Sequence, residues 1–195
     1  MHPLKLHPDF QSASVSQIDV DVTRNTNALG LRYIVTGNIG AILIPARASP
    51  ARTDGLWRHT CFELFVRRAP SPNHLPKGEG KIPGVFPPPT SGQGAGPYFE
   101  FNFSPSSQWA AYSFTDYREG MASLESAPPR IETHARNARF ALAVTLDLKS
   151  LGSAALTVGL SAVIEETSGA KSYWALRHPA GKADFHHSDC FALVV

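Results

Sequence analysis

Two glutamates carry the most chemistry in this sequence. Glu63 lies in Thr60-Cys61-Phe62-Glu63-Leu64-Phe65-Val66-Arg67, and Glu100 lies in Tyr98-Phe99-Glu100-Phe101-Asn102-Phe103. In the second stretch Phe99, Phe101 and Phe103 alternate with Tyr98, Glu100 and Asn102, the pattern of a half-buried β-strand. The first gives Phe62, Leu64 and Val66 one face, and Cys61 and Glu63 the other, with Phe65 as an exception. If each phenylalanine face turns to the core, both carboxyls share the opposite face with Tyr98 and Asn102. Taking Tyr112, Phe114, Trp174 and Leu176 as core residues of later strands adds Trp109, Tyr173 and Arg177 to that face. The candidate ligand-binding set is therefore Glu63, Tyr98, Glu100, Asn102, Trp109, Tyr173 and Arg177, with the small Ala111 and Ala175 among them. Carboxylates and an amide suit vicinal hydroxyls, an arginine donates a fork, and an aromatic face packs on a sugar ring. The plainer alternative is a cross-strand ion pair of Glu63 and Glu100 with Arg177. Two carboxyls about 5–9 Å apart also satisfy the first requirement of glycoside hydrolysis, but no other residue reads as catalytic.

Strands must hold such a face. Residues 17–23 and 30–37 alternate around Asn25-Thr26-Asn27 and make a hairpin. Short strands are expected at 41–45, 60–67, 98–103, 108–114, 130–134, 138–148, 155–165, 172–177 and 190–195. Residues 1–16 read as an extended lead-in, and 148–151 as one helical turn. Without a convincing amphipathic helix, this is an all-β protein: an antiparallel β-sandwich of jelly-roll type. The 195 residues fit a single domain. Residues 69–97 hold many prolines and glycines and no periodicity, and read as an inserted loop joining neighbouring strands.

Composition narrows the classes. A net charge of +2, without basic runs, gives no case for nucleic acid. No apolar stretch is long enough for a membrane helix. Met1 to Pro8 lacks the apolar core of a secretory signal, so the expected location is cytoplasmic, with Cys61 and Cys190 reduced. Nothing in the chain sets an oligomeric state. His178, Asp184, His186, His187, Asp189 and Cys190 form the one cluster of metal-ligand residue types. Its spacing matches no standard zinc pattern, so no metal is expected; His186, His187 and Asp189 are its best candidates. His59 and Cys61, two apart on one strand, lack the third group of a nucleophile site, so a buried thiol is expected.

Leu56-Trp57-Arg58-His59-Thr60-Cys61-Phe62-Glu63, Tyr98 to Pro105 with Trp109, Tyr173-Trp174-Ala175-Leu176 and Asp184-Phe185-His186 together resemble the DOMON-like superfamily. The nearest likeness is to its bacterial branch related to family 9 carbohydrate-binding modules. The resemblance covers roughly residues 55–195, with 69–97 as an insertion. It implies a DOMON-like sandwich and a small ligand, a sugar in the related modules. Those modules clamp a sugar between two tryptophans, and Trp57, Trp109 and Trp174 offer no assigned pair. Haem-binding relatives use Met and His, for which Met121 with His178 or His186 is the sole set, unsupported by spacing; no cofactor is expected. The favoured reading is non-catalytic binding of a small carbohydrate or related polar ligand. The alternatives are a protein-interaction module using the 69–97 loop, and a glycoside-acting or metal-dependent enzyme.

Overall fold

The computed structural model describes residues 1–69, 96–148 and 155–195. The inserted loop at 69–97 therefore lies almost wholly outside the described residues, as does the helical turn expected at 148–151 beyond Leu148. The chain is built from strands: β1 (His2–Leu6), β2 (Val15–Arg24), β3 (Ala28–Gly37), β4 (Cys61–Arg68), β5 (Tyr98–Phe103), β6 (Trp109–Phe114), β7 (Ala122–Ser123), β8 (Arg130–Arg136), β9 (Arg139–Asp147), β10 (Leu156–Glu165), β11 (Lys171–Ala175) and β12 (Leu193–Val194). All strand pairs are antiparallel. One layer runs β1-β2-β3-β9-β8; the other runs β7-β6-β5-β4-β10-β11-β1, with β12 beside β10.

β1 belongs to both layers, which the expectation of a plain lead-in did not foresee. His2, Pro3 and Leu4 pair with Val20, Asp19 and Ile18 of β2, and Lys5 and Leu6 pair with Ala175 and Trp174 of β11. The strand thereby carries the sheet round the corner of the sandwich. A second difference concerns 41–45. In place of a strand there is a 3-10 turn at Ile39–Ala41 and a single bridge from Ile42 to Glu166.

The interior is apolar from both layers. Ile18, Val20, Leu31, Tyr33, Val35, Leu142, Val144 and Leu146 face Phe62, Leu64, Val66, Phe101, Phe103, Val158, Leu160 and Trp174. Phe62 lies 5.1 Å from the Tyr33 ring and stacks on Phe140 at 6.2 Å. Tyr33 is fully buried, and its hydroxyl reaches the Glu63 carbonyl at 2.7 Å, so this core phenol has a partner on the opposite layer.

The layers differ in how they are covered. β3 and β9 alternate between buried and more open residues, as one-sided strands do. β5 is buried at every position, and β4 and β10 at nearly every one. Polypeptide from 54–57, 115–121 and 183–191 therefore lies over their outer face, where a second cluster forms around Phe65, Tyr98, Tyr112, Phe114, Phe185 and Phe191.

That cover explains one error of orientation. In β6, Trp109 pairs with Phe103, Ala111 with Phe101 and Ser113 with Phe99. Directly opposed residues share a face, so Trp109 and Ala111 belong to the interior, and Tyr112 and Phe114 to the outer face. This reverses the expected assignment of all four. A one-residue change of register exchanges the faces, and a strand with aromatic residues at both parities does not reveal which face is inside.

Candidate functional site

The outer face of β4, β5, β6, β10 and β11 can be read in rows across the sheet. One row is Ala175, Ser161, Glu63, Asn102 and Ala110; the next is Gly159, Phe65, Glu100 and Tyr112. Beyond it Tyr98 pairs with Phe114. Glu63 and Glu100 thus sit diagonally on neighbouring strands, where Cα atoms are about 7–8 Å apart. Ala110 and Ala175 leave space beside them. Gly159 does so in a stricter sense: a Cβ there would meet the Cys190 carbonyl oxygen at 2.9 Å, so a side chain would displace the covering segment.

Above this floor is a cavity of about 380 Å³ lined by Glu63, Glu100 and Arg118, with Trp57, Tyr173 and Phe185 among its aromatic walls. The remaining lining residues include Phe65, Phe114, Met121 and His186. Its size suits one small molecule. Three contacts fix its rim. The Arg118 Nη2 donates to Asp184 Oδ1 at 2.8 Å, and the Tyr117 hydroxyl donates to Asp184 Oδ2. The Tyr98 hydroxyl meets His186 Nδ1 at 2.7 Å. On the other side, the Tyr112 hydroxyl donates to Asp54 Oδ1 at 2.6 Å, next to the 3-10 turn Leu56–Arg58 that carries Trp57.

The carboxyls are held without a strong cation contact. Glu63 is 3% exposed and Glu100 5%. Ser161 Oγ donates to Glu63 Oε2 at 3.1 Å, and Asn102 Nδ2 donates to Glu100 Oε1 at 2.7 Å. The Asn102 carbonyl turns the other way, toward Cys61 Sγ at 3.8 Å. Burial pushes the Glu63 carboxyl up to about 8, and the neighbouring charge of Glu100 adds to this. Burial also raises Glu100, to about 6, against the opposing effects of the Asn102 amide and Arg118. At neutral pH the pair therefore holds about one proton, mainly on Glu63. His186 is pushed down to about 4, first by burial and then by Arg118. Its ring is neutral, with one proton. Nε2 faces Glu100 Oε2 at 3.7 Å, so a proton is favoured there, and Nδ1 accepts from Tyr98. The Tyr98 oxygen in turn accepts the Arg118 backbone N–H at 3.2 Å.

The expected site residues divide clearly. Glu63, Tyr98, Glu100 and Asn102 share the outer face, as the alternation implied, and Tyr173 lines the cavity. Trp109 does not: it is 6% exposed within the sandwich interior, for the register reason given above. Arg177 is exposed beyond the end of β11 at Ala175 and is not a lining residue. The cavity's arginine is Arg118, whose backbone φ of 55° lies in the left-handed region of the β6–β7 turn. Trp57, Arg118, Met121, Asp184 and Phe185 enter from loops, and period-two alternation carries no information about them.

The late histidine cluster separates too. His186 points into the site. His187 is half-buried and Asp189 exposed, and they interact with each other, Asp189 N–H donating to His187 Nδ1 at 3.2 Å. Among the described residues no three His, Cys, Asp or Glu side chains come together as a metal site. Met121 and His186 line one cavity, with His186 Nδ1 held by the Tyr98 hydroxyl. Cys61 and Cys190 are buried free thiols. No helix among the described residues is long and apolar enough to cross a membrane. No family model matches the chain, and no curated protein matches its sequence.

Proposed function

We propose that this protein binds a small polyhydroxylated ligand, a carbohydrate or close analogue, without transforming it. The observation that carries the reading is the pair of buried carboxyls, Glu63 and Glu100, on the floor of an aromatic-walled cavity of about 380 Å³. A carboxylate accepts hydroxyl hydrogen bonds and a protonated carboxyl donates one, so a half-protonated pair serves both directions of a sugar hydroxyl. Trp57, Tyr173 and Phe185 supply ring surface for the apolar face of a pyranose. The resemblance of Trp57 to Glu63, Tyr98 to Pro105 and Tyr173 to Leu176 to DOMON-like proteins related to family 9 carbohydrate-binding modules adds support, and the reading places the protein in the cytoplasm. An interaction role for the 69–97 loop concerns residues outside those described.

A second reading, hydrolysis of a glycoside, is favoured by one feature. Glu63 retains its proton near neutrality while Glu100 is largely ionised, the division of labour of an acid and a base. Titration calorimetry over a panel of monosaccharides and disaccharides, with the ligand recovered afterwards, separates the two. Recovery of intact ligand bound one per chain supports binding. Conversion of a disaccharide or aryl glycoside that ceases in Glu63→Gln supports hydrolysis.

A further inference from the structure

Resting on the reading of the cavity as a polyol site, we propose that its ligand carries a positively charged nitrogen. The class is an amino sugar or aminocyclitol whose ammonium group sits between Glu63 and Glu100. The carboxyls lining this space are Glu63 and Glu100, from β4 and β5. The one guanidinium in the lining is that of Arg118. Arg118 is occupied by Asp184 at 2.8 Å. His186 is neutral, and burial raises Cys61, Tyr98 and Tyr112 so that they too are uncharged. With Arg118 neutralised by Asp184, Glu63 and Glu100 leave the fully ionised floor two negative charges in excess.

Hydrogen bonding makes the same point. Glu63 Oε1 accepts from no described protein group, and Glu100 Oε2 has only His186 Nε2, at 3.7 Å. Each carboxyl thus keeps one oxygen free, on side chains more than nine-tenths buried, at the floor of a cavity. The diagonal placement on neighbouring strands leaves room for a single nitrogen between them. The surroundings select a cation over another donor. Phe65, Phe114, Tyr173 and Phe185 present rings around the site, and ring faces attract a cation. A divalent metal is less well served, because the Asn102 carbonyl points to Cys61 and its amide nitrogen, a donor, faces Glu100. In the free protein the proton held by the pair compensates the charge. An ammonium group entering between the carboxyls replaces that proton, which leaves to solvent.

Proton release is therefore the signature. The test is titration calorimetry of the full chain at pH 6.5 in buffers of different ionisation enthalpy. The probes are glucosamine, galactosamine and mannosamine, each beside its N-acetyl derivative and its parent hexose, with ethanolamine and calcium chloride as controls. Expected are binding by at least one free amino sugar, at least tenfold weaker binding of its N-acetyl and parent forms, and release of roughly half to one proton per ligand. In Glu63→Gln the release disappears and the preference for the amine falls at least tenfold. Equal binding of amine and parent sugar, without proton release, overturns the ammonium seat and leaves the polyol reading standing. Ethanolamine binding with proton release and tighter than every sugar supports the seat and overturns the carbohydrate reading. Calcium binding with the same release overturns the seat in favour of a metal. No binding by any probe overturns both.

Discussion

Replacing Glu63 by glutamine should change how stability depends on pH. Glu63 is 3% exposed, its Oε2 accepts from Ser161 at 3.1 Å, and its carboxyl is pushed from an ordinary 4.5 up to about 8. The folded chain then holds the proton more tightly than the unfolded chain. That contribution to stability is complete below pH 4.5 and is lost as pH rises through about 8. Integrated over the whole window it is on the order of 5 kcal/mol, at 1.36 kcal/mol per pH unit. Glu100 works in the same direction only up to about 6. Between pH 6.5 and 8.5 the wild-type chain should therefore lose roughly 2 kcal/mol through Glu63. Glutamine has the same shape, still accepts from Ser161 and cannot ionise, so the variant should lose less than about 0.5 kcal/mol over that range. The assay is urea unfolding at closely spaced pH values, followed through the buried Trp109 and Trp174 and extrapolated linearly. Parallel curves for the two proteins would refute the reasoning, since the proton would then not reside on Glu63.

Three further outcomes follow from packing. Phe101→Ala and Trp109→Ala should each cost about 3–5 kcal/mol in unfolding experiments, because both side chains lie in the interior; the folded Trp109 variant should keep the ligand affinity of the wild type. Tyr98→Phe leaves His186 Nδ1 and the Arg118 N–H without their partner, at a cost of about 1–3 kcal/mol; hydrogen exchange should quicken in 184–190 before the β4–β5 ladder. Gly159→Ala sets a methyl group against the backbone of Cys190 at 2.9 Å and should destabilise by about 1–3 kcal/mol, with the change in exchange centred on Ser188–Cys190.

The sequence reveals this molecule where local periodicity governs and conceals it where distant chain closure does. Phe99, Phe101 and Phe103 mark an interior face without ambiguity, so Tyr98, Glu100 and Asn102 are correctly placed opposite. The same alternation orients Glu63. β6 hides its orientation because its outer face is also buried, so Tyr112 and Phe114 look like core residues as convincingly as Trp109. Arg177 is the natural arginine to choose while a strand is assumed to run to 177; β11 ends at Ala175 and the side chain turns to solvent. Arg118 and Asp184 are separated by 66 residues and meet only once the sandwich is closed. β1 is illegible for a related reason: five residues shared between two sheets leave no long alternating run on either.

Glu63 and Glu100 face one cavity and share a proton, and carboxyl-carbon NMR observes that directly. With ¹³C-labelled glutamate, two resonances assigned through Glu63→Gln and Glu100→Gln should titrate well above 4.5, Glu63 near 8 and Glu100 near 6. Saturating amino sugar at pH 6.5 should shift both, with Glu63 moving to its ionised position. Ordinary titration of both resonances, or a ligand that leaves both unmoved while shifting residues elsewhere, would contradict it.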